Sequence, residues 1–211
     1  MRQVQRKSEQ TTSFTLIELL VVIAIIAILA SMLLPSLSKA QAKAKQIVCV
    51  GNLKQQQVGF VLYADEYGGY FPEEWLTSAL WNGPMWHTVI SEQIGGNEDV
   101  FICPAGGPDV QFNYQDLAYG FNWINLGNES GATSLWVTQS QVTQPAATIL
   151  VADSIENAAF NLGICNTSST AGNRIGDRHN RGPNILWVDG HVQWMPIRQV
   201  DSAGISLWDL D

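Results

Sequence analysis

From Gln55 to Asn173 the chain has neither lysine nor arginine, although twelve aspartates and glutamates fall in the same stretch. A surface with that balance repels nucleic acid and anionic headgroups, so both are excluded as charge-matched partners, whereas divalent cations are tolerated. Charged residues make up only 14% of the sequence and hydrophobic ones 46%, which excludes disorder. No internal repeat of solenoid period is present. The three cysteines, Cys49, Cys103 and Cys165, form no C-x-x-C pair, which removes the usual zinc-ribbon and dithiol redox signatures. No Ser, Cys or carboxylate pair stands at a catalytic spacing, so the chain reads as a non-enzyme. The one polar low-complexity stretch, Asn166 to Asn173, reads as a loop.

What the sequence does have is a long apolar run near its start. Fourteen of the residues from Phe14 to Leu34 are Phe, Leu, Ile or Val, each favouring insertion by roughly 0.3–0.6 kcal/mol, against about 3 kcal/mol opposing it for the acid Glu18. The run is long enough to cross a bilayer at about 1.5 Å per residue and exceeds the ~7–15 apolar residues of a secretory signal. Glu18 therefore needs an explanation. Thr15-Leu-Ile-Glu18 fits a helix capping box, the carboxylate could lie shallow near the headgroups, or it could have a specific functional partner within the membrane.

The string Phe14-Thr-Leu-Ile-Glu18-Leu-Leu-Val-Val-Ile, with Pro35 at the twenty-second position from Phe14, resembles the N-terminus of type IV prepilins and type II secretion pseudopilins. The resemblance implies a leader of residues 1–13, cleaved by a prepilin peptidase between Ser13 and Phe14, with methylation of the new amine. It implies a membrane and assembly helix over 14–35, with Glu18 meeting the N-terminal amine of a neighbouring subunit in a filament. In a medium with little water an ammonium and a carboxylate attract strongly, and either alone is heavily penalised. Members normally carry Gly before the cut. Ser13 adds a Cβ and a hydroxyl in a tight protease subsite, and an uncut chain would remain an anchored monomer. Arg2, Arg6 and Lys7 precede the helix while Lys39, Lys43, Lys45 and Lys54 follow it, so basic residues do not fix orientation. The resemblance places the N-terminus in the cytoplasm and the following domain in the periplasm, anchored to the bacterial inner membrane.

Beyond the membrane the helix is expected to continue over 36–64. Leu37, Ala40, Ala44, Ile47, Val48, Val58, Val61 and Leu62 recur near spacings of three and four, with Pro35 predicted to kink it and Gly51 and Gly59 as weak points. Tyr63 to Pro72 ends it through Gly68, Gly69 and Pro72. Asp65 and Glu66 there read as a solvated turn or, less simply, as Ca²⁺ ligands. Strands are predicted at Asp99–Cys103, Ser134–Thr138, Ala147–Asp153, Asn184–Val188 and His191–Met195. A long helix followed by a mostly antiparallel sheet is an α+β architecture, with residues 65–211 as the globular part, and this is also the pilin-like layout.

Asp189-Gly190 suggests a two-residue type I′ hairpin turn, which would pair Trp187 with Val192 and Ile185 with Trp194, leaving Leu186, Val188 and Met195 on the opposite face. His179, nine residues and then Asp189-Gly190 resemble the C-terminal H-x9-DG region of a subset of pseudopilin-like proteins. Cys49 with Asn52-Leu-Lys-Gln, Tyr63–Pro72, Cys103-Pro104, Tyr119–Asn122 and Asp153 extend that resemblance. His179, Asp189, His191 and Asp153 read either as a structural hydrogen-bond cluster or as ligands for a divalent metal, Zn²⁺ or Ca²⁺. In an exported domain Cys49 and Cys103 could form a disulfide that clamps helix to sheet and adds about 4 kcal/mol, leaving Cys165 over; three reduced buried thiols are the alternative. Trp75, Trp81 and Trp86 could present a glycan-stacking surface on residues 70–96, or belong to the core. Two function classes result: a structural pseudopilin-like subunit of a pilus or secretion filament, built with other pilin subunits, and an anchored binding module for glycan or metal.

Overall fold

The computed structural model describes residues 15–72, 85–106, 117–122, 126–128, 135–154 and 175–202. Ser13, Phe14, Trp75, Trp81, Trp123, Cys165 and the stretch from Asn166 to Asn173, expected as a loop, lie outside them. Two compact units divide the chain, Met1–Gln41 and Ala42–Asp211, and one helix, α1 (Leu16–Glu66), contributes to both.

In the first unit α1 starts as the S/T-x-x-E pattern dictates. The Thr15 N–H and hydroxyl both donate to Glu18 Oε2 at 2.8 Å, and the Glu18 N–H donates to Thr15 Oγ1 at 3.2 Å, a reciprocal cap on otherwise unpaired donors. The large apolar side chains from Leu16 to Leu37 are exposed, and this stretch is long and apolar enough to cross a membrane. Pro35 sits inside the helix rather than at its end.

In the second unit one face of α1 packs inward: Gln46, Cys49, Asn52, Leu53, Gln56, Gly59, Phe60, Tyr63 and Ala64 are buried. The stripe that signals the helix in the sequence is a different one, since Ile47, Val48, Val58, Val61 and Leu62 all remain exposed. Helix α1 stops two residues beyond the expected Ala64. Gly68 and Gly69 have φ of 66° and 88°, and the Gly69 N–H reaches back to the Ala64 carbonyl at 2.6 Å, closing the last turn as a positive-φ cap requires.

A four-stranded antiparallel sheet of order β1-β4-β5-β6 forms from β1 (Tyr119–Phe121), β4 (Ile149–Asp153), β5 (Asn184–Trp187) and β6 (Val192–Trp194). A separate pair joins β2 (Gly127–Asn128) to β3 (Leu135–Trp136). This is the expected α+β, pilin-like layout. Strand β4 is buried throughout and carries a register shift between Ile149 and Val151. That extra residue sends Leu150 and Val151 together into the cluster shared with α1, while Ile149 and Ala152 face the other way, as a bulge permits. The second face is covered by Ile175, Met195 and by Ile197 and Val200 of a short helix, Ile197–Ser202.

Three expectations are corrected. Asp99–Cys103 is not a strand: Glu98–Phe101 is a 3-10 turn. Its Val100 carbonyl and that of Ile102 accept hydrogen bonds from Gln56 Nε2 at 2.7 Å and Asn52 Nδ2 at 2.9 Å, so side chains of α1 replace a neighbouring strand. Second, Trp86 is no exposed glycan platform. It opens helix α2 (Trp86–Gln93) fully buried, its ring 5.6 Å from Phe101, 5.7 Å from Phe121 and 6.0 Å from Phe60. Gly59 makes room for α2, because a Cβ there would stand 2.6 Å from Ile90 Cγ2.

Third, the hairpin register slips by one. Leu186 pairs with Val192, Ile185 with Gln193 and Asn184 with Trp194. Only Gly190 has positive φ in the turn, at 89°. The Gly190 N–H donates to the Trp187 carbonyl at 2.9 Å and the Trp187 N–H to the His191 carbonyl at 3.0 Å. The connection is therefore a three-residue turn with a left-handed glycine, not a type I′ turn. A one-residue slip exchanges faces: Val192 joins Leu186 and Val188 on the α1 side, and Met195 joins Ile185 and Trp187 on the other.

Candidate functional site

The four residues read together as a possible metal set separate into two pairs. At the end of β4, Asp153 is fully buried. Its Oδ2 accepts from the Asn184 backbone N–H at 2.6 Å and from Asn184 Nδ2 at 3.1 Å, and Asn184 Oδ1 in turn accepts from Gln46 Nε2 of α1 at 3.2 Å. His179 Nε2 lies 3.7 Å from the same Asp153 oxygen and 3.3 Å from Cys103 Sγ. The His179 carbonyl accepts from Trp194 Nε1 at 2.6 Å, and Asn180 and Arg181 follow with φ of 54° and 64°. A turn in this strained region persists only where its surroundings fix it.

Cys103 is bonded to Cys49, with Cα atoms 5.6 Å apart. This bond joins α1 to the segment after the 3-10 turn and forms the wall against which His179 rests. Burial pushes the Asp153 carboxyl up to about 7, with the Asn184 N–H and the Arg178 guanidinium pulling the other way. Burial, then the positive charges of Arg178 and Lys43, hold His179 down to about 4. At neutral pH the imidazole is uncharged, so this contact is not an ion pair. Burial likewise pushes the Tyr119 hydroxyl far up, and Asn52 Nδ2 lies 3.5 Å from its oxygen. Arg178 donates to the Ser154 carbonyl.

The other pair is on the surface hairpin. His191 Nδ1 is 2.6 Å from Asp189 Oδ1, which also accepts the His191 backbone N–H at 3.0 Å. The His191 ring stacks on Trp187 at 5.4 Å, and Lys54 Nζ of α1 donates to the Gly190 carbonyl at 2.7 Å. Slight burial pushes Asp189 up, but the two His191 contacts and Lys54 outweigh it and hold the carboxyl below its usual range. The hairpin tip thus ties the sheet to α1.

Among the described residues, the one group of three or more metal-competent side chains with ligand atoms within 4.8 Å of one another is Cys49, Cys103 and His179. Asp189 and His191 are not part of it. Sequence reasoning paired Cys49 with Cys103 and singled out His179, but had no signal that the two features meet. Glu66, considered for Ca²⁺, accepts a hydrogen bond from Gln93 Nε2 at 3.0 Å.

The description "prokaryotic N-terminal methylation motif" matches residues 12–34. No curated protein and no solved structure is significantly similar to the chain. Together with the apolar start of α1, the match marks a prepilin-type N-terminus, the substrate type of prepilin peptidase, on a single apolar helix suited to anchor the chain in a membrane.

Proposed function

We propose that this chain is a pseudopilin-like structural subunit. It is cut between Ser13 and Phe14, N-methylated, and assembled through α1 with other pilin-type subunits into a pilus or type II secretion-like filament. Residues 42–211 lie on the periplasmic side of the inner membrane. The observation that carries the reading is the unpaired stripe on α1. In the second unit Ile47, Val48, Val58, Val61 and Leu62 are between 43% and 62% exposed, opposite the face that packs on the domain. Gly51 falls within this stripe with open space around it. A helix that buries a half-polar face and leaves its apolar face in water is built for further helices, and small residues let such helices approach closely.

Glu18 fits the same reading. Thr15 satisfies Oε2 in the capping box, which neutralises no charge. A neighbouring subunit's freed N-terminal amine supplies the cation that makes a carboxylate tolerable near hydrocarbon. The test is Glu18→Gln, which keeps hydrogen-bonding capacity and removes the charge. Membrane insertion and cleavage should be retained, and incorporation into filaments, scored by crosslinking and shear fractionation, should be lost. Normal incorporation would refute the charge pairing. Intact mass of the membrane-extracted chain separately checks the cut: a sole species retaining Ser13 would leave an anchored, unassembled module.

A further inference from the structure

We propose that a cavity beside the Asn180–Arg181 turn binds a small organic carboxylate, with Arg181 and Arg198 clamping its oxygens and Pro196 and Ile197 covering its apolar body. The cavity has a volume of about 270 Å³ and is lined by Asn180, Arg181, Pro196, Ile197 and Arg198. None of these residues belongs to α1, so the site is separate from the surface proposed for assembly.

The charge pattern points to an anion. No lysine or arginine occurs from Gln55 to Asn173, and the four basic residues that follow, Arg174, Arg178, Arg181 and Arg198, are all arginine. Arg178 is engaged with the Ser154 carbonyl. Arg181 and Arg198 are exposed, and among the described residues the ion pairs join only His179 to Asp153 and His191 to Asp189. A chain of net charge −8 holds carboxylates in excess, yet none of the described ones pairs with these two guanidiniums. Arginine keeps its proton at any ordinary pH and presents a planar fork of donors that matches a carboxylate. Two of them at one cavity repel each other until an anion lies between them.

The backbone fixes where both arginines start. Asn180 and Arg181 hold φ of 54° and 64°, and the turn closes through the His179 N–H on the Gly182 carbonyl at 3.3 Å. The Ile197 N–H donates to the Arg181 carbonyl at 3.0 Å and the Met195 N–H to the Pro183 carbonyl at 3.1 Å, while Trp194 Nε1 donates to the His179 carbonyl at 2.6 Å. Gly182 permits this approach, since a Cβ there would collide with the Met195 carbonyl oxygen. Residues 181 and 198 are thereby carried on two segments locked to each other, which reduces the ordering that binding must supply. Pro196 and Ile197 set hydrocarbon beside the charges. An inorganic anion gains nothing from that wall, whereas the carbon chain of an organic acid sheds water against it. The lining therefore favours a carboxylate with an apolar body over phosphate.

The experiment titrates the full-length chain in detergent with acetate, butanoate and inorganic phosphate at constant ionic strength, following the arginine Nε–H signals by NMR. Butanoate should shift the Arg181 and Arg198 signals together and saturably, with one dissociation constant. Each methylene added from acetate to butanoate should tighten binding by about two- to fourfold, and phosphate should bind more weakly than butanoate. Arg181→Asn, which removes the guanidinium and suits a positive φ, should weaken butanoate binding at least about tenfold, as should Arg198→Gln. Absence of a shift at either arginine in the wild-type protein overturns the proposal and requires no variant to fold. Butanoate binding no tighter than acetate, phosphate binding as tightly as butanoate, or unchanged butanoate affinity in either variant overturns it too. None of these readouts depends on cleavage or filament incorporation, so the site and the subunit reading fail separately.

Discussion

Two histidine and aspartate pairs occupy this domain, and they differ in nearly everything except composition. Asp153 and His179 lie 3.7 Å apart in the interior, beside a disulfide and under α1. Asp189 and His191 lie 2.6 Å apart on a hairpin tip with roughly two-fifths of each side chain in solvent. The shorter contact is the weaker structural element, because water screens it and competes for it. The longer contact sits away from water, where an unmatched donor is costly, and Asp153 is what satisfies two donors of Asn184. Distance alone ranks the pairs wrongly; burial and the partners left behind on deletion rank them correctly.

The largest test of that contrast removes the wall of the buried site. Cys49→Ser with Cys103→Ser opens a loop spanning 54 residues and should lower stability by about 4 kcal/mol, read as thermal unfolding of the full chain. Asp153→Ala comes next. It strands the Asn184 N–H and Nδ2 in the interior and should lower stability by about 2–4 kcal/mol, with loss of hydrogen-exchange protection at Asn184. Equal losses from Asp153→Ala and Asp189→Ala would erase the distinction between the regions.

Acid–base behaviour sharpens it further. Asp153 is raised from 3.8 to about 7 in the fold, so the folded state holds the extra proton between those values and stability falls as pH rises across them. His179 is lowered from 6.5 to about 4, so the unfolded chain holds the extra proton and stability rises with pH across that window. The two slopes oppose one another from about pH 4 to 6.5, and the wild-type protein should be nearly flat there. His179→Gln should expose a fall, and Asp153→Asn a rise, each approaching about 1.4 kcal/mol per pH unit. Melting curves across this range decide it: slopes of the same sign in both variants would contradict the assignment. Asp189 behaves oppositely to Asp153. Its lowered carboxyl stabilises the fold above the ordinary carboxylate range, and that contribution disappears as pH falls through its folded value. The smallest effect is expected for His191→Ala, within about 1 kcal/mol.

The N-terminal motif, the long helix and its stop at Gly68 and Gly69 were legible because each rests on local chemistry: a cap, an unbroken apolar run, a positive φ. Strands β4, β5 and β6 were legible in place but not in register, since Asp189-Gly190 is compatible with more than one turn and only packing against α1 selects among them. Helix α2 and the 3-10 turn at Glu98–Phe101 were not readable. Eight and four residues are too few for periodicity to separate helix from strand, and what holds the turn is Gln56 and Asn52, polar residues whose burial no hydropathy pattern signals. Gly59 read as a defect in α1, yet its missing side chain is what α2 requires. The meeting of Cys103 with His179 depends on four segments converging, information that appears only with the tertiary fold.

The covalent link at Cys49 falls in the opening turns of the part of α1 that belongs to the second unit. Tension drawn along that helix from its N-terminal side meets a chemical bond before it meets the aromatic contacts of Phe60 or the packing of Tyr63. Peeling from that direction is arrested there, and the load passes to residue 103 instead of unzipping one turn after another.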